Sequence, residues 1–159
     1  MKYRIYMDVC CLNRPFDDQS QQRIKLEAEA IDEITLRCVS GDFVLISSTA
    51  LESEIAQNPN PNMADQVMEA LTIAQDRIIV TESIVSRAME LISLGFKRFD
   101  ALHLACAESG NVDVFLTTDD RLLKKSMVYE KTMRVSVANP VIWLMNIAIQ
   151  KGGQNDDRS

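Results

Sequence analysis

The chain has 159 residues, 47% of them apolar, and a formal net charge of −6. That length suits one domain with a hydrophobic core that needs no covalent staples, and no apolar run approaches the roughly 18 residues of a membrane span. The acidic balance argues against general adhesion to nucleic acid, which leaves a basic footprint, but leaves room for a local site where metal ions offset clustered acids.

The opening MKYRIYMDVCC passes straight into a strand pattern, without the long apolar segment and small-residue cleavage site of a secretory signal. A soluble protein resident in the cytoplasm, away from any membrane, is therefore expected. Residues 4–8 read as the first strand, apolar at Ile5, Tyr6 and Met7, with Asp8 at its carboxyl end. Cys10 and Cys11 then fall on opposite sides of that strand's continuation. The four cysteines, Cys10, Cys11, Cys38 and Cys106, lack the paired spacing of a zinc site and read as reduced, small apolar residues.

Residues 13–20 form a polar loop broken by Pro15. Residues 21–39 follow as a helix whose stripe of Ile24, Ala28, Ile31, Ile34, Leu36 and Cys38 is uneven, and Gly41 and Asp42 end it. The second strand is 43–46. Thr49 and Glu52 fit a capping box at the start of the next helix. Glu54 lies about 200° around that helix from Glu52, so capping does not account for it. Asn58, Pro59, Asn60 and Pro61 break the chain, residues 63–74 resume as helix, and 77–80 form a connector or edge strand. Thr81 caps the amphipathic helix 83–94, and Gly95 stops it.

The most informative stretch runs from Phe99 to Lys125. Residues 99–109 form a helix with Asp100 in its first turn, where the positive end of the helix dipole favours a carboxylate. Residues 112–117 are an apolar strand with Asp119 just beyond its carboxyl end, the edge at which open parallel sheets bind ligands. Asp120 either substitutes for Asp119 or starts the helix 120–125, and the second is our reading. Residues 133–137 make the last strand, and Pro140 opens a final helix to Ile149. Residues 1–150 thus form one domain, with 151–159 a polar tail expected to be disordered.

Strands separated by helices imply a parallel sheet. Asp8 and Asp119 follow strands, and Glu54 and Asp100 occupy first turns of helices, so all four can meet at one sheet edge. Charges that close repel unless some are protonated or a divalent cation neutralises them. An all-oxygen donor set suits Mg²⁺ or Mn²⁺ rather than zinc. Each acid taken alone is also an ordinary turn or cap residue. His103, the only histidine, lies one turn after Asp100 and reads as a packing or supporting residue. No Ser/His/Asp or Cys/His pattern points to a nucleophile, and aromatic residues, at 6% of the chain, form no base-stacking ladder.

The segments IYMDVCCLN, ISSTALESEIA, FDALHLACAE and FLTTDDRLL, in this order and over nearly the whole chain, resemble the PIN-domain ribonucleases, in particular the VapC-type toxins of bacterial toxin-antitoxin pairs. The resemblance implies an α/β fold, a three-layer α/β/α sandwich around a central parallel sheet. It implies Asp8, Glu54, Asp100 and Asp119 as catalytic residues and ligands of Mg²⁺ or Mn²⁺, cutting RNA internally to leave 5′-phosphate and 3′-hydroxyl ends. It also implies an antitoxin that covers the acidic groove, and a homodimer. Arg14, Lys97, Arg98 and Arg121 lie beside the acidic segments and are candidates for holding RNA phosphates. The chain differs from the family pattern at Val9 and Cys10, where many members carry a small hydroxyl or amide residue, and in its longer NRPFDDQS loop. Two other readings stand beside this one. One is a PIN domain without catalysis that binds RNA or a protein. The other is a receiver-like signalling module, whose pattern has an acidic pair after the first strand and a lysine after the last.

Overall fold

The structure is a computed structural model that describes residues 2–156, with side chains described as far as residue 150. In chain order it runs β1 (Tyr3–Met7), α1 (Val9–Asn13), a 3₁₀ turn (Arg14–Phe16), α2 (Gln22–Ser40), β2 (Phe43–Ser48), α3 (Thr49–Ala56), α4 (Pro61–Leu71) and β3 (Asp76–Ile78). It continues α5 (Glu82–Ser93), α6 (Arg98–Ser109), β4 (Val114–Leu116), α7 (Asp120–Val128), β5 (Ser136–Ala138) and α8 (Pro140–Asp156). No helix of the described residues is long and apolar enough to cross a membrane.

The strands pair in the order β3-β2-β1-β4-β5, every neighbouring pair parallel. Central strands of such a sheet are covered on both faces and read as continuous apolar runs. Ile5, Tyr6 and Met7 of β1 and Val114, Phe115 and Leu116 of β4 are accordingly all buried. Successive side chains of a strand point to opposite faces, which divides the core in two. On one face Tyr3, in register with Phe43, meets Phe43 and Trp143 of α8 edge-on, at centroid distances of 6.0 and 5.5 Å. Helices α2 and α8 pack together on that side. On the other face Tyr6, in register with Phe115, stacks on it at 5.3 Å and turns its hydroxyl toward His103 of α6. The molecule is a three-layer α/β/α sandwich with a central parallel sheet, PIN-like in architecture.

Local signals account for most element ends. Gly41 ends α2 in the left-handed region at φ 89°, and Gly95 follows α5 at φ 104°, conformations that cost glycine nothing. The Thr81 hydroxyl accepts from the Ile84 amide to cap α5.

Four expectations need correction. Cys10 and Cys11 are not on a strand: Asp8 accepts from the Cys11 amide and caps α1, which leaves Cys10 exposed and Cys11 buried. The cap of α3 is Ser48, not Thr49; Ser48 Oγ accepts from the Leu51 amide, and Thr49 Oγ1 instead accepts from Val80 N–H. Glu52 therefore makes no capping box and pairs with Arg77 in a two-pronged ion pair of 2.7 and 2.8 Å. That assignment also moves Glu54 out of the first turn and into the second. Finally, α8 runs on beyond Ile149 to Asp156; residues 157–159 of the tail expected to be disordered lie outside the described residues.

Candidate functional site

The chain lays down β1, β2 and β3 in one direction across the sheet and then returns to place β4 on the free side of β1. Connections on either side of β1 consequently leave in opposite directions, opening a crevice beyond the carboxyl ends of β1 and β4, where ligands of open parallel sheets bind. Asp8 stands at the end of β1, its amide still donating to Leu116 O of β4 at 3.1 Å. Asp119 stands past β4 as the cap of α7, its Oδ1 accepting from Arg121 N–H at 2.9 Å. Asp100 enters from the first turn of α6.

Asp8 and Asp100 are shifted in part by the other acids. Burial pushes the Asp8 carboxyl up from 3.8 to about 6; the Thr117 hydroxyl, the Cys11 amide and His103 oppose that, and Asp100 adds to it. Asp100 is raised as well, first by burial and then by the charges of Asp119 and Glu54, with His103 and Lys97 opposing. The thiol of Cys10, on α1 two residues after Asp8, is pushed up to about 12 by desolvation of the sulfur and then by the fields of Asp8, Asp119, Asp100 and Glu54. A thiol so placed is neutral and a poor nucleophile.

The arrangement is nevertheless not a closed cage. Among the described residues no three His, Cys, Asp or Glu side chains are drawn together tightly enough to hold an ion. Each of three acids gives one oxygen to a donor of the chain itself: Asp8 to the Cys11 amide, Asp119 to the Arg121 amide and Glu54 to His103. The second oxygens of Glu54 and Asp119 are left over, and Asp100 has neither hydrogen bond nor ion pair among the described residues. Their donors are hard oxygens, the class that Mg²⁺ and Mn²⁺ take.

His103 is buried and bonded at both ring nitrogens, Nε2 to Glu54 Oε1 at 2.7 Å and Nδ1 to the Tyr6 hydroxyl at 2.7 Å. The Tyr6 hydroxyl also meets Ser48 Oγ at 2.7 Å. The imidazole lies between Tyr6 and Phe99, with ring centroids 5.7 and 6.0 Å away. The supporting role expected of His103 thus has a definite object, Glu54.

Of the four basic candidates, Lys97 and Arg121 line a cavity of about 120 Å³ together with Asp100, Asp119 and Lys125. Lys125 was not singled out from sequence, although it lies one turn beyond Arg121 on α7, the spacing at which helix side chains share a face. Its ammonium donates to Gly95 O at 2.5 Å. Arg98 is elsewhere, in an apolar groove of about 610 Å³ between α3, α5 and α6. Arg14 is committed to Glu27 and Asp17. Asp120 is engaged by Arg23 in a two-pronged pair of 2.8 and 2.7 Å, as befits the first residue of α7 rather than a substitute for Asp119.

The receiver-like reading does not survive the topology, since receivers of the CheY type order their strands 2-1-3-4-5 and this sheet runs 3-2-1-4-5. No protein-family profile matches the sequence, and no curated protein does. Among solved structures the fold is similar to a chain in the crystal structure of VapBC2 from Rickettsia felis bound to a DNA fragment from its promoter. The two share 11% identity at a TM-score of 0.51, over 85% of this chain and 98% of that one, so the likeness is one of fold.

Proposed function

We propose that this protein is a Mg²⁺- or Mn²⁺-dependent endoribonuclease and the toxin member of a toxin-antitoxin pair. The observation that carries this reading is Asp8 buried at the end of β1, with Asp100 and Asp119 lining one cavity beyond the carboxyl end of β4 and both Asp8 and Asp100 held above the usual carboxylate range. An aspartate that serves only as a turn or cap has no reason to be buried at that electrostatic cost. The fold likeness to a VapBC2 structure supports the same reading.

In this proposal Asp8, the most buried of the acids, is the central anchor, and Asp100 and Asp119 present oxygens at the wall of the cavity. A divalent cation bound there supplies an activated water and charge neutralisation at the scissile phosphate. Lys97, Arg121 and Lys125 add positive charge on the same wall, where a phosphodiester must lie to be cut. Asp119→Asn keeps a capping oxygen for α7 but removes the charge, and is expected to abolish cleavage. Asp120→Ala breaks an exposed pair worth less than about 1 kcal/mol and is expected to leave cleavage within about 3-fold of wild type. Equal losses in the two would reassign the ligand.

The exposed Val85, Met89 and Ile92 of α5, which line the groove beside Arg98, support a protein partner on that side, whether an antitoxin or a second copy in a homodimer. The decisive experiment incubates the purified protein with total RNA in Mg²⁺, Mn²⁺ or chelator and maps the ends. Metal-dependent 5′-phosphate and 3′-hydroxyl ends are expected. RNA retained intact in every condition would favour the other reading, a PIN-like module that only binds, for which the self-satisfied oxygens of Asp8, Glu54 and Asp119 are the supporting observation.

A further inference from the structure

We propose that Ser48, Tyr6 and His103 form a buried strut that fixes the Glu54 carboxylate for cation binding, with His103 held as the Nε2–H tautomer; the role in cation binding rests on the nuclease reading above. With the imidazole neutral, the chemistry of the donors fixes the direction of every bond. An ionised Glu54 only accepts, so the proton in the 2.7 Å contact belongs to His103 Nε2. The neutral ring's Nδ1 is then an acceptor, and the Tyr6 hydroxyl 2.7 Å away donates to it. Having given its proton to the ring, Tyr6 Oη accepts from the Ser48 hydroxyl at 2.7 Å. Ser48 Oγ in turn accepts from the Leu51 amide at 3.0 Å, which ties the strut to the first turn of α3. No polar atom of the series is left without a partner, and the other neutral tautomer would place Nε2 without a proton against a carboxylate.

The strut joins three elements. Tyr6 rides on β1 two residues before Asp8, Ser48 ends β2, and His103 lies one turn after Asp100 on α6. Tyr6, Ser48 and His103 are buried, whereas the Glu54 side chain is 30% exposed. A glutamate at such a position has many rotamers to lose on ordering. With Oε1 held by a buried donor, Oε2 is left without a hydrogen bond among the described residues, and the position of Glu54 is tied to the elements that carry Asp8 and Asp100. Hydrogen-bonded partners of ligating groups elsewhere typically change metal affinity about 10- to 100-fold when removed. His103 is on this account a positioning residue.

Because His103 is the only histidine, the imidazole nitrogens of untagged, ¹⁵N-labelled protein give one set of signals. The neutral Nε2–H tautomer is expected at pH 7.5 in chelator, and an Nδ1–H tautomer or a doubly protonated ring would overturn the strut. Tyr6→Phe keeps the ring on Phe115 and deletes the hydroxyl. Calorimetric titration with Mn²⁺ is expected to show about 10-fold weaker binding by this variant, with kcat for RNA reduced and KM little changed. His103→Ala is expected to lose more, and His103→Gln, which restores a donor, to recover part of the loss. If Tyr6→Phe and His103→Ala, folded by circular dichroism, bind Mn²⁺ as wild type does, the strut is only structural and the inference fails while the nuclease reading stands. If wild type itself binds no Mn²⁺, both fail together. Should Tyr6→Phe not fold, the His103 pair and the tautomer decide alone.

Discussion

Asp8→Asn is expected to stabilise the metal-free protein at pH 7.5 by about 2 kcal/mol while abolishing metal-dependent RNA cleavage. The carboxyl titrates near 6 in the folded protein against an ordinary value of 3.8. Ionising it in its buried place thus costs up to about 3 kcal/mol, at about 1.36 kcal/mol for each pH unit between the two values. A carboxyl raised on folding contributes stability that is fully present below its unfolded pKa and lost as pH climbs through the folded one. Wild type therefore carries the whole penalty above about pH 6 and none below about pH 4. Asparagine never ionises and keeps an Oδ1 to accept from the Cys11 amide, the bond that caps α1. Its new amide needs an acceptor, with the Thr117 hydroxyl nearby, and that requirement offsets part of the gain.

Urea melts from pH 4 to pH 8 in chelator test this directly. The stability difference should be near zero at pH 4 and open as pH rises through the window between 3.8 and about 6. Adding Mn²⁺ should then reverse the order, because an ion that binds only the folded wild type stabilises it by mass action. Equal stabilities at pH 7.5 would show that Asp8 is not strained by its burial. Wild-type cleavage by Asp8→Asn would remove Asp8 from the chemistry.

What was legible in the sequence was what neighbours along the chain decide. The end of α2 at Gly41, the Thr81 cap and the apolar run of β4 are all set by side chains within a few positions of one another, and they emerge as expected. Asp8 shows how a local signal can be present and still be misassigned. An aspartate before an apolar stretch is as good a helix cap as a strand end, and the Cys11 amide chose the former. The capping box at Thr49 failed for a different reason: Glu52 finds Arg77, 25 residues on, and no window of local spacing contains that partner. The same holds for the strut. Tyr6, Ser48, Glu54 and His103 come from a strand, a strand end and two helices, and only the sheet order brings them into contact. Buried polar groups must be satisfied, but which distant group satisfies them is a property of the fold.

Glu27 is the sharpest example and gives the second large effect. It sits on the apolar side of α2, and its side chain is only 2% exposed. Its oxygens accept from Arg14 Nε at 2.9 Å, Arg23 Nε at 3.3 Å and Asn139 Nδ2 at 2.9 Å. It thereby ties α2 to the 3₁₀ turn and to the cap of α8, since Asn139 Oδ1 accepts from Val141 N–H. Glu27→Ala strips two guanidinium groups of their shared anion. Removing one member of a buried ionic group costs about 3–5 kcal/mol, and the lower figure is expected here because one partner is solvated. Arg14 is 23% exposed and Arg23 is 52% exposed. A double-mutant cycle should therefore assign more of the loss to Arg14, with a coupling to Glu27 above about 1 kcal/mol, and less than that to Arg23, whose pair is closer to a surface bridge. Activity should fall only as the folded fraction does, since Arg23 keeps its bonds to Asp120 and Thr118 O on either side of Asp119. A loss below about 1 kcal/mol in urea melts of Glu27→Ala, or equal couplings to the two arginines, would show that this network is decoration on α2 rather than the clamp that fixes the rim of the site.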